Sequence, residues 1–168
     1  TLHLLTLSAS EHEQAYKQNL VDAVITFDPV RSNLLKAGAK ILFDSSQIPG
    51  EIVDVLVTRR DLLKNRKADL ESLVHNWFRA LDYHQQNPQD AARRMALRGQ
   101  VTPEKFIESL KLIRIPDRPT NLKLLSRTDP SFSESAKRLG QIMIKNKLLK
   151  QTPPIDQLMT DQLIKVTQ

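Results

Sequence analysis

Cysteine is absent from the 168-residue chain, and histidine and glycine are scarce. Without cysteine the chain has no structural disulfide, no thiolate nucleophile and no cysteine-ligated zinc site. The four histidines, His3, His12, His75 and His84, show no HxxxH or HxH spacing, so the sequence predicts no metal site. Only four glycines are present, and no GxGxxG, Walker or GxSxG motif occurs. We therefore predict a protein that is not an enzyme and that has no cofactor.

Long hydrophobic runs are also missing. No segment approaches the roughly 18 consecutive apolar residues that a membrane span needs, and no signal peptide is visible at the amino end. The sequence starts at Thr1 instead of Met. This start predicts a fragment or the product of processing.

Positive charge is in excess, with a net charge of +6 and a sequence pI of about 9.7. Such a balance can favour anionic partners through long-range attraction. The densest basic cluster comprises Arg59, Arg60, Lys64, Arg66 and Lys67. It has no interleaved aromatic residues and no helix-turn-helix or RNA-binding signature. We therefore interpret the charge as a solvated surface and predict no nucleic-acid partner.

The pattern of apolar residues changes between residues 50 and 60. Before this point, four short apolar or β-branched segments predict strands, each bounded by turn residues. They are residues 2–7, 21–27, 40–43 and 52–58. Short helices are predicted between them, one ending near Lys17 and one over residues 30–37 closed by Gly38. After Asp61 the pattern is helical.

The clearest helical signal lies in the second half of the chain. Apolar residues recur at helical spacing and form one stripe: Leu70, Leu73, Val74, Trp77, Phe78 and Leu81. We predict that Trp77 and Phe78 are core residues. Asn87-Pro88 and Thr102-Pro103 each supply a cap and a first-turn proline for a further helix.

Short polar residues and one aromatic residue cluster at the ends of two predicted strands: Thr26, Phe27, Asp28, Asp44, Ser45 and Ser46. In an open α/β sheet, ligands bind beyond the carboxyl ends of the strands, so these residues predict a binding cleft. Two structural alternatives stay open. Asp28 can cap the helix that follows Pro29, and residues 44–46 can be turn residues that bond to their own backbone.

Three segments together resemble a known family. VDAVITFDP at 21–29, GAKILFDSSQIPGEIVDVLVTRRDLL at 38–63 and LVHNWFRALDYHQQNPQDAARRMA at 73–96 look like the second half of NMT1/THI5-like substrate-binding proteins. These are the solute receptors of ABC importers for nitrate, sulfonates, taurine and thiamine-precursor pyrimidines. The resemblance runs in order from about Ser10 to Leu148.

The resemblance implies an α/β fold, in this case part of a type II periplasmic-binding-protein-like architecture. Residues 1–51 would form part of the second α/β lobe and residues 52–60 a hinge strand. Residues 61–168 would form the carboxyl-terminal helical portion of the first lobe. The opening strands of the first lobe, which form the other wall of the cleft in this family, would be missing.

Carried over by position, the resemblance assigns ligand binding to Thr26, Phe27, Asp28, Asp44, Ser45 and Ser46, with Asp54 a weaker candidate at the hinge. The family motif commonly reads Trp-Glu-Pro where this chain has Phe27-Asp28-Pro29. The acid is one methylene shorter, which leaves the ligand's identity open. A carboxylate there suits an amine or aminopyrimidine, whereas the net positive charge favours an anion.

The function implied is the solute-binding component of an ABC importer, which captures a small organic or anionic solute between two lobes. Its partners would be the small-molecule ligand and the permease subunits in the membrane. The location would be periplasmic or extracellular, with a lipid anchor to the membrane as one arrangement. Because half a lobe exposes apolar faces and strand edges, we also predict self-association. The alternative function is a ligand-sensing domain of a larger signalling protein.

Overall fold

Helices are the only regular elements among residues 3–126 and 131–165, which are the residues that the computed structural model describes. The first two helices are α1 (His12–Lys17) and α2 (Val30–Lys36), followed by a 3₁₀ turn at Ser45–Gln47. The remaining helices follow in chain order: α3 (Arg60–Asn65), α4 (Lys67–Gln86), α5 (Pro88–Gly99), α6 (Pro103–Leu110), α7 (Arg118–Leu125), α8 (Ser131–Lys145) and α9 (Ile155–Leu158).

The predicted fold class is therefore wrong. An α/β, type II periplasmic-binding-protein-like sheet was expected, but the described residues are 56% helical and contain no strand. All four predicted strand segments have large apolar side chains in solvent: Leu4 is 87% exposed, Ile25 93%, Leu42 84% and Val57 80%. A β-branched run forms a strand only when a neighbouring strand takes up its backbone hydrogen bonds. Here no such neighbour is present in the described chain.

The hinge strand predicted at residues 52–60 is absent for the same reason. Residues 53–59 have no regular structure, and α3 already begins at Arg60. The helical prediction for the chain after Asp61 is confirmed by α3 to α9. The chain divides after Gln47 into two compact units, which we call unit 1 and unit 2.

Unit 1 is built on the packing of α1 against α2. Ala15 of α1 and Leu34 of α2 are buried, at 4% and 3% exposure. The side-chain amide of Asn33 donates a hydrogen bond of 2.9 Å to Glu13 and so ties the two helices together at the surface. Gly38 closes α2 with a φ of +96°, as predicted, because a residue with a Cβ rarely adopts this backbone conformation.

Unit 2 is centred on α4. Val74 and Phe78 of this helix are buried together with Ile164, and Leu81, Leu122, Leu125 and Leu163 pack around them. The guanidinium of Arg118 lies 4.7 Å from the centre of the Phe78 ring and donates a hydrogen bond to the Ile164 carbonyl. This stacking covers one side of the core with a cation over an aromatic face.

The next helices of unit 2 pack through small residues. Ala91, Ala92 and Ala96 of α5 are buried, and α5 lies against both α4 and α6. Alanine lets helix backbones approach closely. Pro88 and Pro103 occupy the first positions of α5 and α6, as predicted, and the Thr102 hydroxyl accepts a hydrogen bond from the Lys105 N–H.

Candidate functional site

The predicted site residues of unit 1 lie on both sides of α2. Asp28 and Pro29 immediately precede this helix and are joined by a cis peptide bond. Asp44 comes just before the 3₁₀ turn that follows. Because α2 is held against α1, the first turn of α2 has a fixed position within unit 1. This turn carries Arg31 and Ser32, the two side chains that contact Asp28.

Asp28 is the more enclosed of the two acids. Its side chain is 17% exposed, accepts a hydrogen bond from the Ser32 hydroxyl, and lies 3.8 Å from Nη1 of Arg31. The amino end of α2 has no side-chain cap. The Asp28 carboxylate therefore contacts the side chains of Ser32 and Arg31 and does not cap the helix.

Asp44 organises the 3₁₀ turn. Its carboxylate accepts hydrogen bonds from the backbone N–H of Ser46, at 2.9 Å, and from the Ser46 hydroxyl. These bonds, the hydroxyl first, lower the pKa of Asp44, and the positive charge of Arg31 lowers it further. Asp44 thus follows the turn alternative. Its pKa is also lowered by the guanidinium of Arg31, which pairs with Asp28.

We call these five residues the Asp28 cluster: Asp28, Arg31, Ser32, Asp44 and Ser46. Sequence reasoning found both acids and Ser46 but missed Arg31 and Ser32. The signal was available, because Arg31 and Ser32 follow Asp28 by three and four residues at the start of a predicted helix, and such positions are neighbours on one helical face.

The side chains of the other predicted site residues are not part of the Asp28 cluster. The Thr26 hydroxyl lies 3.2 Å from Nδ1 of His12, which connects it to α1. Phe27 is 65% exposed. Ser45 is exposed at the start of the 3₁₀ turn, and Asp54 is exposed in an irregular segment of unit 2. No hydrogen bond to Ser45 or Asp54 side chains occurs within the described residues.

The Asp28 cluster combines carboxylate, guanidinium and hydroxyl groups. Two carboxylates and one guanidinium give it a formal charge of −1. Ser32 and Ser46 each donate to a carboxylate, and neither hydroxyl has a histidine partner among the described residues, so neither is activated as a nucleophile. Within the same residues, no group of three His, Asp or Glu side chains is arranged to hold a metal ion.

Within the described ranges, no helix combines the length and apolar content needed to cross a bilayer. Comparison with protein-family models, with curated proteins and with solved structures gives no match. The resemblance to NMT1/THI5-like receptors, and the functions that it implies, therefore stay predictions.

Proposed function

We propose that the chain is a non-catalytic solute-binding protein, the ligand-capturing component of an ABC importer, and that the Asp28 cluster contacts the solute. The support is of two kinds. The ordered resemblance from Ser10 to Leu148 favours this class of receptor, and unit 1 pairs Asp28 with Arg31, whose charge also lowers the pKa of Asp44.

The observation that carries the proposal is the pairing of the half-buried Asp28 carboxylate with the Arg31 guanidinium at 3.8 Å, with a second carboxylate, Asp44, close enough for the charge of Arg31 to lower its pKa. The net charge of −1 favours a cationic or strongly hydrogen-bond-donating nitrogen and opposes a lone anion such as nitrate. The exposed ring of Phe27, next to Asp28 in the chain, is available to an organic body. The solute is then a small nitrogen-containing organic molecule.

Arg31 supplies a second contact for such a solute. Its side chain is 28% exposed, its separation from Asp28 is longer than a hydrogen bond, and among the described residues its guanidinium donates none. A guanidinium with free N–H groups binds carboxylate or sulfonate oxygens in pairs. A solute that carries both an amine and an acid group would satisfy Asp28 and Arg31 at once.

The test is an NMR titration of the isotopically labelled chain with taurine, ethanolamine and ethanesulfonate. Taurine has an amine and a sulfonate, and each of the other two lacks one of these groups. We expect taurine and ethanolamine to shift resonances within residues 26–46, taurine more strongly, and ethanesulfonate to leave them unchanged. Asp28→Asn should weaken amine binding by roughly tenfold or more, the cost of losing a charge-assisted hydrogen bond.

The matched control is Asp22→Asn, because Asp22 lies in the same unit but is exposed and takes part in no ion pair within the described chain. Equal shifts with ethanesulfonate and ethanolamine, or a D28N variant that binds like the parent, would refute the proposal. We expect weak affinity, since Phe27 is 65% exposed and a solute beside it would stay largely in solvent. Micromolar or tighter binding by calorimetry would contradict that part.

The partner and the location follow from the same resemblance. We propose permease subunits as the partners and a periplasmic or extracellular location. A ligand-sensing domain of a signalling protein would use the Asp28 cluster in the same way. Reconstituted transport with a cognate permease would separate the two functions, because a sensor would bind the solute without supporting its uptake.

A further inference from the structure

Residues 52–58 form an apolar segment with an unpaired backbone. Ile52 is 71% exposed, Leu56 68% and Val57 80%. Within the described chain these seven residues make no hydrogen bond, either through the backbone or through side chains. A turn that ends at Glu51 precedes the segment, and the extended residue Arg59 follows it as the cap of α3.

This composition is that of an edge strand. Five of the seven residues are β-branched, Val53, Val55 and Val57 alternate with other residues, and the segment contains neither proline nor glycine. An exposed backbone of this kind is a template for pairing with another strand.

We propose that residues 51–59 pair antiparallel with the same residues of a second copy, about a two-fold axis at Val55. In this register the residue numbers of every directly opposed pair add up to 110. Val53 faces Val57 of the second copy and Val55 faces Val55 of the second copy, so valines fill the middle of one side of the ribbon. At each end, on the same side, Glu51 faces Arg59. The segment is thus complementary to itself in shape and in charge.

Neighbouring registers lose this complementarity. A two-fold axis at Asp54 sets Asp54 directly against its own copy, and like charges opposite one another are destabilising. An axis at Leu56 sets Arg59 against Val53. Parallel, in-register pairing sets Glu51 against Glu51. The antiparallel register at Val55 alone matches both charges, and it is centred on the free backbone between the turn and α3.

Glu51 and Arg59 can leave their internal ion pairs and pair with the second copy. Glu51 accepts a bond of 2.7 Å from Arg138, and Arg59 lies 3.1 Å from Asp61, but both pairs are solvent-exposed. Exposed ion pairs contribute little to stability. A two-stranded ribbon is itself only marginally stable in water, so we expect a weak dimer that forms at high protein concentration.

The first test is sedimentation equilibrium of the chain and two charge-reversal variants, Glu51→Arg and Arg59→Glu. Each variant alone should weaken the dimer by roughly tenfold, because both charged ends become repulsive. A 1:1 mixture of the two should dimerise again, since their ends are mutually complementary. Arg138→Glu is the control: it breaks the same internal ion pair as E51R, and dimerisation should be unchanged.

The second test exploits the absence of cysteine. In the proposed register Val55→Cys meets its own copy at the distance of a directly opposed pair, which a disulfide can bridge. Oxidation should link V55C into covalent dimers and leave V53C largely monomeric. Equal linking of both variants, undiminished association of E51R, or open-ended oligomers would each overturn the proposal.

Discussion

At the scale of single residues, the side chains of α4 separate according to their exact position on the helix. Phe78 is buried at 5% exposure, whereas Trp77, one residue earlier, is 56% exposed. The prediction that both are core residues is right for Phe78 and wrong for Trp77. The buried row is Val74 and Phe78, four residues apart, and Leu73 and Trp77 lie beside it. A stripe of six apolar residues does not by itself show which of its two edges faces the core.

Replacing Phe78 by alanine should cost about 3–5 kcal/mol of unfolding free energy, because it empties the centre of the unit 2 core. It also removes the ring beneath Arg118. Trp77→Ala is the matched control and should cost well under half as much, since Trp77 is largely in solvent. Urea unfolding followed by circular dichroism measures both values. Equal losses would show that α4 is rotated relative to this account.

Sequence reasoning located both acids of the Asp28 cluster, but for the wrong reason. It placed Asp28 and Asp44 at the ends of neighbouring strands, whereas in the structure α2 and a 3₁₀ turn hold them. A site at strand ends does not include Arg31, because this residue lies on the helix that follows. Local spacing was enough to find this residue.

At the scale of elements, α4 and α5 are joined by a surface group centred on Asp90. The Tyr83 hydroxyl donates to this carboxylate at 2.5 Å and the Arg94 guanidinium at 2.6 Å, with Arg93 at 3.4 Å. These bonds, that of Tyr83 first, lower the pKa of Asp90 from 3.8 to about 2. Because the folded pKa lies below the ordinary one, the stabilisation is fully present above pH 3.8 and is lost as the pH falls to about 2.

We expect Asp90→Asn to lower the thermal midpoint modestly at pH 7, and the difference from the parent to shrink as the pH falls from about 4 to about 2. Asp82→Asn, on the exposed side of α4, is the control and should have little effect at either pH. Melting curves across this range measure the effect. A difference that stays constant down to pH 2 would exclude Asp90 ionisation as its source.

The elements that could be predicted are those set by local sequence. Asn87-Pro88 and Thr102-Pro103 begin α5 and α6, and Gly38 ends α2, because caps and prolines act within one turn. The strands could not be predicted in the same way. A strand requires a partner elsewhere, and residues 21–27 and 52–58 show the composition without the partner.

At the scale of the whole molecule, the central claim is that helices are the regular elements of residues 3–126 and 131–165, and that the β-like segments of these residues are unpaired in the single copy. Unit 1 and unit 2 each have their own small core. Residues 40–43 are exposed like residues 52–58, and both segments are available to other molecules.

Amide hydrogen exchange read by mass spectrometry, at a protein concentration below dimerisation, tests this claim most directly. We predict slow exchange in α4 and α5, and exchange at the rate of an unstructured peptide in residues 21–27, 40–43 and 52–58. Protection of these three segments as strong as that of α4 would reveal a sheet and contradict the account.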